Sequence, residues 1–229
     1  MTKAALFVNL GSPKSAEKED VKSYLREFLM DEYVIDSPFL IRWFIVNALI
    51  LPKRPIESAH AYQTIWTDEG SPLIVISKLF LEKIKTKINT PSYLAMRYNE
   101  PSIKNTLKEI TDNHADLDTI LLCPMYPHYA MSSVTTVVEK TIKELKKLND
   151  SITVEVLPPF YNEPAYIESL RDSLLPYIKE ESYVLFSYHG LPERHLRKTD
   201  PSKTHCLNTI SCCETDSLAH KTCYYHQIK

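Results

Sequence analysis

A histidine that directly follows a predicted strand is the first candidate for chemistry in this sequence. Residues Tyr183–Ser187 are mostly β-branched, aromatic or apolar, and the breakers Gly190 and Pro192 come after them, which predicts a buried strand. His189 then lies just past the carboxyl end of that strand, at the edge where open α/β sheets bind ligands. Imidazole exchanges protons near neutral pH and is the commonest metal ligand. His189 is therefore a candidate catalytic residue, and the alternative is a turn histidine that only packs.

Four clustered cysteines form a second candidate site. Cys206, Cys212, Cys213 and Cys223 lie within eighteen residues, whereas Cys123 stands alone on a predicted strand and is expected in the core. The start of the sequence does not read as a secretory signal, so we expect a reducing compartment, where thiols favour metal sites over disulfides. The residues alone leave zinc, another thiolate-bound metal centre and free thiols open. Interleaved histidines favour zinc, while two adjacent cysteines suit it poorly; the histidines are His205, His220 and His226.

Polar and aromatic side chains follow two further predicted strands. Arg97 comes after one of them, and Tyr126 and Tyr129 come after the next. Because the loops that follow parallel strands share one edge of the sheet, we expect these residues and His189 to face one cleft. An arginine and tyrosines around an apolar cleft suit a flat aromatic ligand that carries carboxylates.

The elements that must position these residues alternate between strand and helix. Apolar residues recur at helical spacing between the predicted strands, as at Val21, Tyr24 and Phe28. This alternation predicts an α/β fold with parallel sheets covered by helices on both faces. The predicted strands are Ala4–Asn9, Tyr93–Met96, Thr119–Cys123, Ile152–Leu157 and Tyr183–Ser187.

Length and composition bound the architecture. The chain has 229 residues, 44% hydrophobic and 24% charged, as in globular proteins of one large or two small domains. The pair Pro158-Pro159 predicts a boundary between an N-terminal domain at residues 1–160 and the start of a second domain at 161–229. A net charge of −2 gives no sign of nucleic-acid binding, and three glycines leave no glycine-rich phosphate loop.

The longest apolar stretch, Phe39–Leu51, is too short to span a bilayer. It predicts a core helix, and the alternative is a lip that touches a membrane surface or an apolar ligand. Without an export signal the expected location is the cytoplasm, with peripheral contact to the inner membrane as an open option.

Five short motifs, spread in order along the chain, resemble those of ferrochelatases. These enzymes insert ferrous iron into a porphyrin to make haem. Several dispersed motifs in one register are much more specific than any one of them. The motifs are Val8–Pro13, Glu69–Leu73, Ala95–Tyr98, Pro124–Tyr129 and Phe186–Pro192.

The resemblance implies two Rossmann-like parallel-sheet domains with a porphyrin cleft. His189 would be the catalytic histidine, acting as a ligand for the iron substrate, as the base for a pyrrole N–H, or both. The stretch Phe39–Leu51 falls in the family's mobile lip over the pocket. The implied porphyrin-binding residues are Leu10, Arg54, Tyr62, Ser71, Arg97, Tyr98, Tyr126 and Tyr129.

Two features refine the function that the resemblance implies. Related enzymes that use coproporphyrin tend to carry a tyrosine where this chain has Leu10, so the apolar residue resembles the protoporphyrin IX enzymes. Some bacterial members hold a two-iron, two-sulfur cluster on a four-cysteine segment after the histidine motif. The resemblance thus implies such a cluster on Cys206, Cys212, Cys213 and Cys223, with zinc as the alternative and with a structural or sensing role.

Family members are longer than this chain. They continue through a second domain that supplies an acidic residue opposite the histidine, so the resemblance implies that only the start of that domain is present here. The alternatives to a protoporphyrin ferrochelatase are a related chelatase for coproporphyrin or cobalt and a non-catalytic porphyrin-binding module.

Overall fold

The computed structural model describes residues 2–229, which form two units. The first unit comprises the chain up to Met125 together with Ser132–Leu157. The second comprises Tyr126–Met131 together with Pro158–Lys229. The short segment after Met125 therefore packs with residues beyond Pro158 rather than with its neighbours in sequence.

A four-stranded parallel sheet forms the centre of the first unit. Its strands are β1 (Thr2–Gly11), β2 (Ser92–Tyr98), β3 (Leu117–Pro124) and β4 (Thr153–Val156), in the order β2-β1-β3-β4. All three pairings are parallel. The four strands predicted in this part of the chain and the α/β fold are confirmed.

Helices connect these strands and cover the sheet. Packing contacts join the sheet to α1, α4, α5 and α6, and α1 also packs on α3. A short π-helical turn, Met131–Thr135, leads into α6. The helices of this unit are α1 (Lys18–Leu29), α2 (Phe39–Phe44), α3 (Arg54–Ile65), α4 (Pro72–Lys85), α5 (Ile103–Asn113) and α6 (Thr136–Leu148).

Both faces of β1 are covered. The Phe7 ring makes an edge-on contact with Phe80 of α4 at 5.5 Å, and the Asn9 side chain donates to Ser77 of the same helix. Leu6 and Val8 alternate with these residues, so they face the opposite side, where they are fully buried. The central strand is thus packed on both sides, as the parallel-sheet prediction requires.

By a general rule, the strand order predicts where a ligand-binding crevice lies. β2 lies on one side of β1, and β3 and β4 lie on the other side, so the order in which the chain adds strands reverses between β1 and β3. In open α/β sheets ligands bind outside the carboxyl ends of the strands at such a reversal. Leu10 lies at that end of β1, and Pro124 ends β3.

The apolar stretch Phe39–Leu51 is not the core helix predicted from its composition. It forms the short helix α2 followed by a π-helical segment, Ile45–Ile50. Phe39, Leu40 and Trp43 are exposed, whereas Arg42 is buried. The Arg42 guanidinium donates to the carbonyls of Ile35 and Ser37, which turns the polar side of α2 inward and leaves the apolar side chains outside. The alternative, a lip that touches a membrane surface or an apolar ligand, stays a prediction.

Gly11 is predicted to be the most substitution-sensitive glycine of the first unit. Its φ is +104°, and a Cβ atom there would lie 2.0 Å from the carbonyl oxygen of Tyr98. We expect Gly11→Ala to lower the free energy of unfolding by about 3 kcal/mol, because backbone strain adds to a clash with backbone. Urea denaturation followed by circular dichroism measures this loss.

Gly70 provides the matched control. Its φ is +110°, but no atom lies within 4 Å of the position that its Cβ would take. Gly70→Ala should therefore cost only about 1 kcal/mol, the conformational part of the effect. Equal losses for the two variants would contradict the assigned clash.

The second unit is built from short helices. It contains α7 (Pro164–Leu174), α8 (Glu193–Thr199) and α9 (Tyr224–Ile228). Single 3₁₀ turns occur at Leu175–Tyr177, Cys212–Glu214 and Leu218–Lys221. None of the residues described in this unit belongs to a strand.

The prediction of a strand at Tyr183–Ser187 is wrong. Residues 182–192 have no regular structure, with Tyr183 at 102% and Leu185 at 91% exposure. A strand satisfies its backbone groups by pairing with a neighbour, and the described part of this unit offers no strand to pair with. The β-forming composition of the segment is therefore not sufficient.

No helix within residues 2–229 combines the length and the apolar character that crossing a membrane requires.

Candidate functional site

Arg54 and Tyr62, two of the predicted porphyrin contacts, line one cavity of the first unit. The cavity holds about 540 Å³ and lies between α1, the π-helical segment Ile45–Ile50 and α3. Its walls combine apolar side chains with two cations, which suits a flat apolar ligand carrying carboxylates. The lining residues are Leu25, Phe28, Leu29, Leu49, Ile50, Lys53, Arg54, Glu57, Ser58 and Tyr62.

Tyr62 is held in the cavity wall by other aromatic rings. It makes edge-on contacts with Tyr24 at 6.3 Å and with Trp66 at 6.1 Å between ring centroids. Burial raises the pKa of the Tyr62 hydroxyl, and a hydrogen bond with Tyr24 partly offsets that rise. Tyr62 thus presents a neutral, fixed phenol.

Arg54 is placed differently from Tyr62. Its side chain is exposed, and its nearest acidic partner is Glu57 on the next turn, 3.9 Å away. An exposed pair at that distance contributes little, so the guanidinium remains available to a carboxylate ligand.

Ser71 lies in a separate cavity. It is buried at the start of α4 and lines a space of about 420 Å³ together with Ser12, Trp66 and Gly70. Leu10 is half-buried near the carboxyl end of β1. The first unit therefore brings Arg54 and Tyr62 together in one cavity and places Ser71 in a different cavity.

Arg97 and Tyr98 are engaged by an acid that sequence reasoning missed. The Asp31 carboxylate, which is buried, accepts hydrogen bonds from the Arg97 guanidinium, the Tyr98 hydroxyl (2.8 Å) and the Thr136 hydroxyl. Arg97 Nε also donates to the Thr136 oxygen at 2.7 Å. This network ties the end of β2 to the start of α6 and to the segment after α1.

Within this network Tyr98 is a buried hydrogen-bond donor to Asp31. Tyr98 is 0% exposed, so its side chain does not line an open surface of the unit. Burial, and then the negative charge of Asp31, raise the pKa of Tyr98, which keeps its hydroxyl a neutral donor. We therefore expect Tyr98 to act by holding Asp31 and Arg97 in place rather than by touching a ligand.

In the second unit, another histidine, His128, contacts three tyrosines, one of which directly precedes His189. The His128 ring stacks on Tyr161 at 5.9 Å and makes edge-on contacts with Tyr188 and Tyr224 at 6.1 and 5.8 Å. Burial lowers the pKa of His128, so its ring stays neutral at physiological pH. Tyr188 directly precedes His189, which is exposed. The Pro124–Tyr129 motif and the His189 segment thus share one aromatic group.

The four cysteines predicted as metal ligands come together in the second unit. Cys206, Cys212 and Cys223 are buried and Cys213 is half-buried. Cys206, Cys223 and Cys213 pack around Ala219. Side-chain hydrogen bonds link the thiols of Cys206 and Cys223, and those of Cys213 with both Cys212 and Cys223. Burial, followed by the neighbouring Cys223 thiol, raises the pKa of Cys206 and of Cys213.

The thiols are not arranged around a single point. Within residues 2–229, no group of three or more Cys, His, Asp or Glu side chains is positioned to hold one metal ion. Two of the three interleaved histidines contact the Cys212 carbonyl oxygen through a ring nitrogen, His205 at 2.7 Å and His220 at 3.4 Å. His220 and His226 stack on each other at 3.8 Å.

One buried carboxylate organises the cysteine segment. Asp200 is 1% exposed, and its two oxygens accept from the backbone N–H groups of Ser202, His205 and Cys206 at 2.8–2.9 Å and from the Ser202 hydroxyl at 2.8 Å. Burial alone would raise the pKa of this carboxyl, but these hydrogen bonds lower it strongly. Asp200 thus fixes the backbone at Cys206.

Asp200→Asn is expected to loosen the cysteine segment. An NH₂ group replaces one carboxylate oxygen and then faces donors, either the N–H groups of His205 and Cys206 or the N–H and hydroxyl of Ser202. We expect the thiols to react with Ellman's reagent about tenfold faster. Asp216→Asn, at an exposed carboxyl in the same segment, is the control. An unchanged rate in the Asp200 variant would contradict the anchoring role.

The same carboxylate predicts a dependence on pH. The folded-state pKa of Asp200 is below that of the unfolded chain, about 3.9. Its contribution to stability is therefore complete above about pH 4 and is lost as the pH falls below that value.

Comparison with known proteins assigns the chain to a family. The ferrochelatase family profile matches residues 2–227. The chain is 48% identical over 227 residues to a ferrochelatase of Ectopseudomonas mendocina and 46% identical over 230 residues to one of Opitutus terrae. These alignments cover 98% and 99% of this chain but 66% of each relative, so the chain spans just under two thirds of their length. A ferrochelatase of Pseudomonas fluorescens is 44% identical over the same share. The chain belongs to the ferrochelatase family.

Proposed function

We propose that the protein inserts ferrous iron into protoporphyrin IX, a lyase reaction that forms protohaem. The observation that carries the proposal is the identity of 43–48% to several ferrochelatases over nearly the whole chain. The geometry agrees, because Arg54 and Tyr62 line an apolar cavity with a cationic rim that suits a macrocycle bearing propionates.

His189 is the residue that we assign to proton transfer and iron binding. Insertion removes two protons from the pyrrole N–H groups while Fe²⁺ enters as substrate. Neutral imidazole serves either as ligand or as base, and the exposed His189 side chain is free to approach a ligand. The further porphyrin contacts that we propose are Leu10, Ser71, Arg97, Tyr126 and Tyr129.

The test is anaerobic incubation of the protein with protoporphyrin IX and ferrous iron. The Soret and visible bands should change from those of free-base porphyrin to those of haem. Cobalt and coproporphyrin, offered in parallel, test the related chelatases. A bound but unmetallated spectrum with every metal would support the non-catalytic porphyrin-binding module instead.

We further propose that Cys206, Cys212, Cys213 and Cys223 hold a two-iron, two-sulfur cluster. The four thiols fit this group because they are close together and largely buried, and each iron of such a cluster would take two of the four thiolates. Zinc is the alternative; it takes its four ligands around one point, which the adjacent residues Cys212 and Cys213 suit poorly. When bound, the cluster would supply structural support or redox sensing.

We infer a cytoplasmic location with peripheral contact to the inner membrane. The exposed apolar side chains of α2, among them Phe39, Leu40 and Trp43, support such a contact. The same surface is the candidate lip over a porphyrin. Sedimentation with vesicles, compared between the protein and Leu40→Ser, measures whether this surface binds lipid; sedimentation that is equal and substantial in both would exclude α2 as the contact.

A further inference from the structure

The last helix, α9, begins at the fourth clustered cysteine. Cys223 precedes Tyr224, the first residue of α9, and its sulfur accepts a hydrogen bond from the backbone N–H of His226 at 3.5 Å. Cys223 is therefore both a member of the thiol cluster and the cap of this helix. The position of Cys223 sets the position of α9.

α9 also holds the backbone of the Pro124–Tyr129 motif. Gln227 is buried, and its side-chain oxygen accepts from the backbone N–H of Tyr129 at 2.7 Å. Its Nε2 donates to the carbonyl of Lys221 at 3.1 Å. Because both ends of the amide are engaged, Gln227 is a fixed bridge between Tyr129 and the cysteine segment.

Tyr224 makes the corresponding contact with the His189 segment. Its ring lies edge-on to His128 with 5.8 Å between centroids, and the same His128 ring contacts Tyr188, the residue before His189, at 6.1 Å. The backbone N–H of His189 donates to the Tyr224 hydroxyl, which partly offsets the rise in the pKa of Tyr224 that burial causes. Tyr225, the next residue on the helix, is exposed and shares neither contact. The two neighbouring tyrosines therefore have different environments.

We propose that α9 couples the four-cysteine segment to the His189 and Tyr129 segments, with Tyr224 and Gln227 as positioning residues. This inference rests on the proposed function for the roles of His189 and the cysteines. The cysteine segment then has a positioning role, because Tyr224, directly after Cys223, contacts the backbone of His189. Small displacements of a catalytic group cost large factors in rate, so such a support is expected to matter.

Hydrogen exchange measured by mass spectrometry tests the coupling without turnover. In Tyr224→Phe, the backbone amide of His189 should exchange about fivefold faster, because its hydrogen bond to the hydroxyl is lost while the ring remains. In Gln227→Leu, residues 126–131 should exchange faster by a similar factor. Gln227→Glu keeps an acceptor for the Tyr129 N–H and should restore protection there. Tyr225→Phe is the matched control and should change neither segment.

The kinetic readout separates positioning from binding. We expect Tyr224→Phe to lower kcat about tenfold while the KM for porphyrin stays within twofold, because the hydroxyl contacts His189 backbone and not ligand. Unchanged exchange in Tyr224→Phe and Gln227→Leu would overturn the coupling even if the protein makes haem. Conversely, if exchange responds as expected but no haem forms, the proposed function fails and the mechanical link stands.

Discussion

Replacing His189 by alanine is expected to abolish metal insertion while the protein still binds porphyrin. Loss of a group that takes protons in the transition state lowers rates by about 10²–10⁴-fold. Porphyrin affinity should stay within about tenfold, because the cavity lined by Arg54 and Tyr62 lies in the other unit and is unchanged. Anaerobic turnover assays and fluorescence titration with protoporphyrin IX measure the two quantities separately.

His60→Ala is the control for His189→Ala. His60 is an exposed histidine on α3 and is absent from the lining of the Arg54 and Tyr62 cavity. Both activity and affinity should be unchanged in this variant. Near-normal turnover in His189→Ala would remove the histidine from the mechanism, and a loss of porphyrin binding larger than the loss of turnover would reassign it to substrate binding.

The second large effect concerns the four clustered cysteines. Protein purified anaerobically should be red-brown, with visible absorption that dithionite bleaches and with about two irons per chain. Replacing any one of Cys206, Cys212, Cys213 or Cys223 by serine should remove most of this iron and colour, because one iron of the cluster then lacks a thiolate ligand. Cys123→Ser should keep both. Burial raises the pKa of Cys123 to about 11, and its thiol donates to the Leu121 carbonyl within the first unit.

Zinc is the competing outcome of the same experiment. Colourless protein with one zinc per chain would replace the cluster by a zinc site. Colourless protein without metal, in which all four thiols react freely, would leave the cysteines as free thiols, three of which pack around Ala219. The Asp200→Asn variant helps to interpret either result, since it loosens the segment without removing a thiol.

The sequence by itself determined the first unit and the family. Strands β1 to β4 and their helices follow from local patterns of apolar residues that are satisfied by neighbours within the same unit. The motifs at the strand ends fall where the parallel sheet places ligands, at Gly11, Tyr98 and Pro124, because the carboxyl ends of parallel strands share one edge. The clustering of the cysteines was also predictable, since their short spacing keeps them close in any compact loop.

Only the tertiary structure decided the remaining features. The segment Tyr183–Ser187 has the composition of a strand but stays exposed, because pairing depends on a partner strand and not on composition. The apolar helix α2 faces outward, because buried Arg42 binds two backbone carbonyls on the inner side.

The roles of individual polar residues depend on contacts between distant parts of the chain. Asp31 engages Arg97 and Tyr98 from more than sixty residues away, and Gln227 reaches Tyr129 across a separation of 98 residues. No periodicity or spacing in the sequence records such contacts, because a hydrogen bond between distant segments is fixed by how the chain packs. The sequence thus predicts which residues carry the chemistry, and the packing identifies Asp31, Asp200, Tyr224 and Gln227 as residues that contact them or the segments on which they lie.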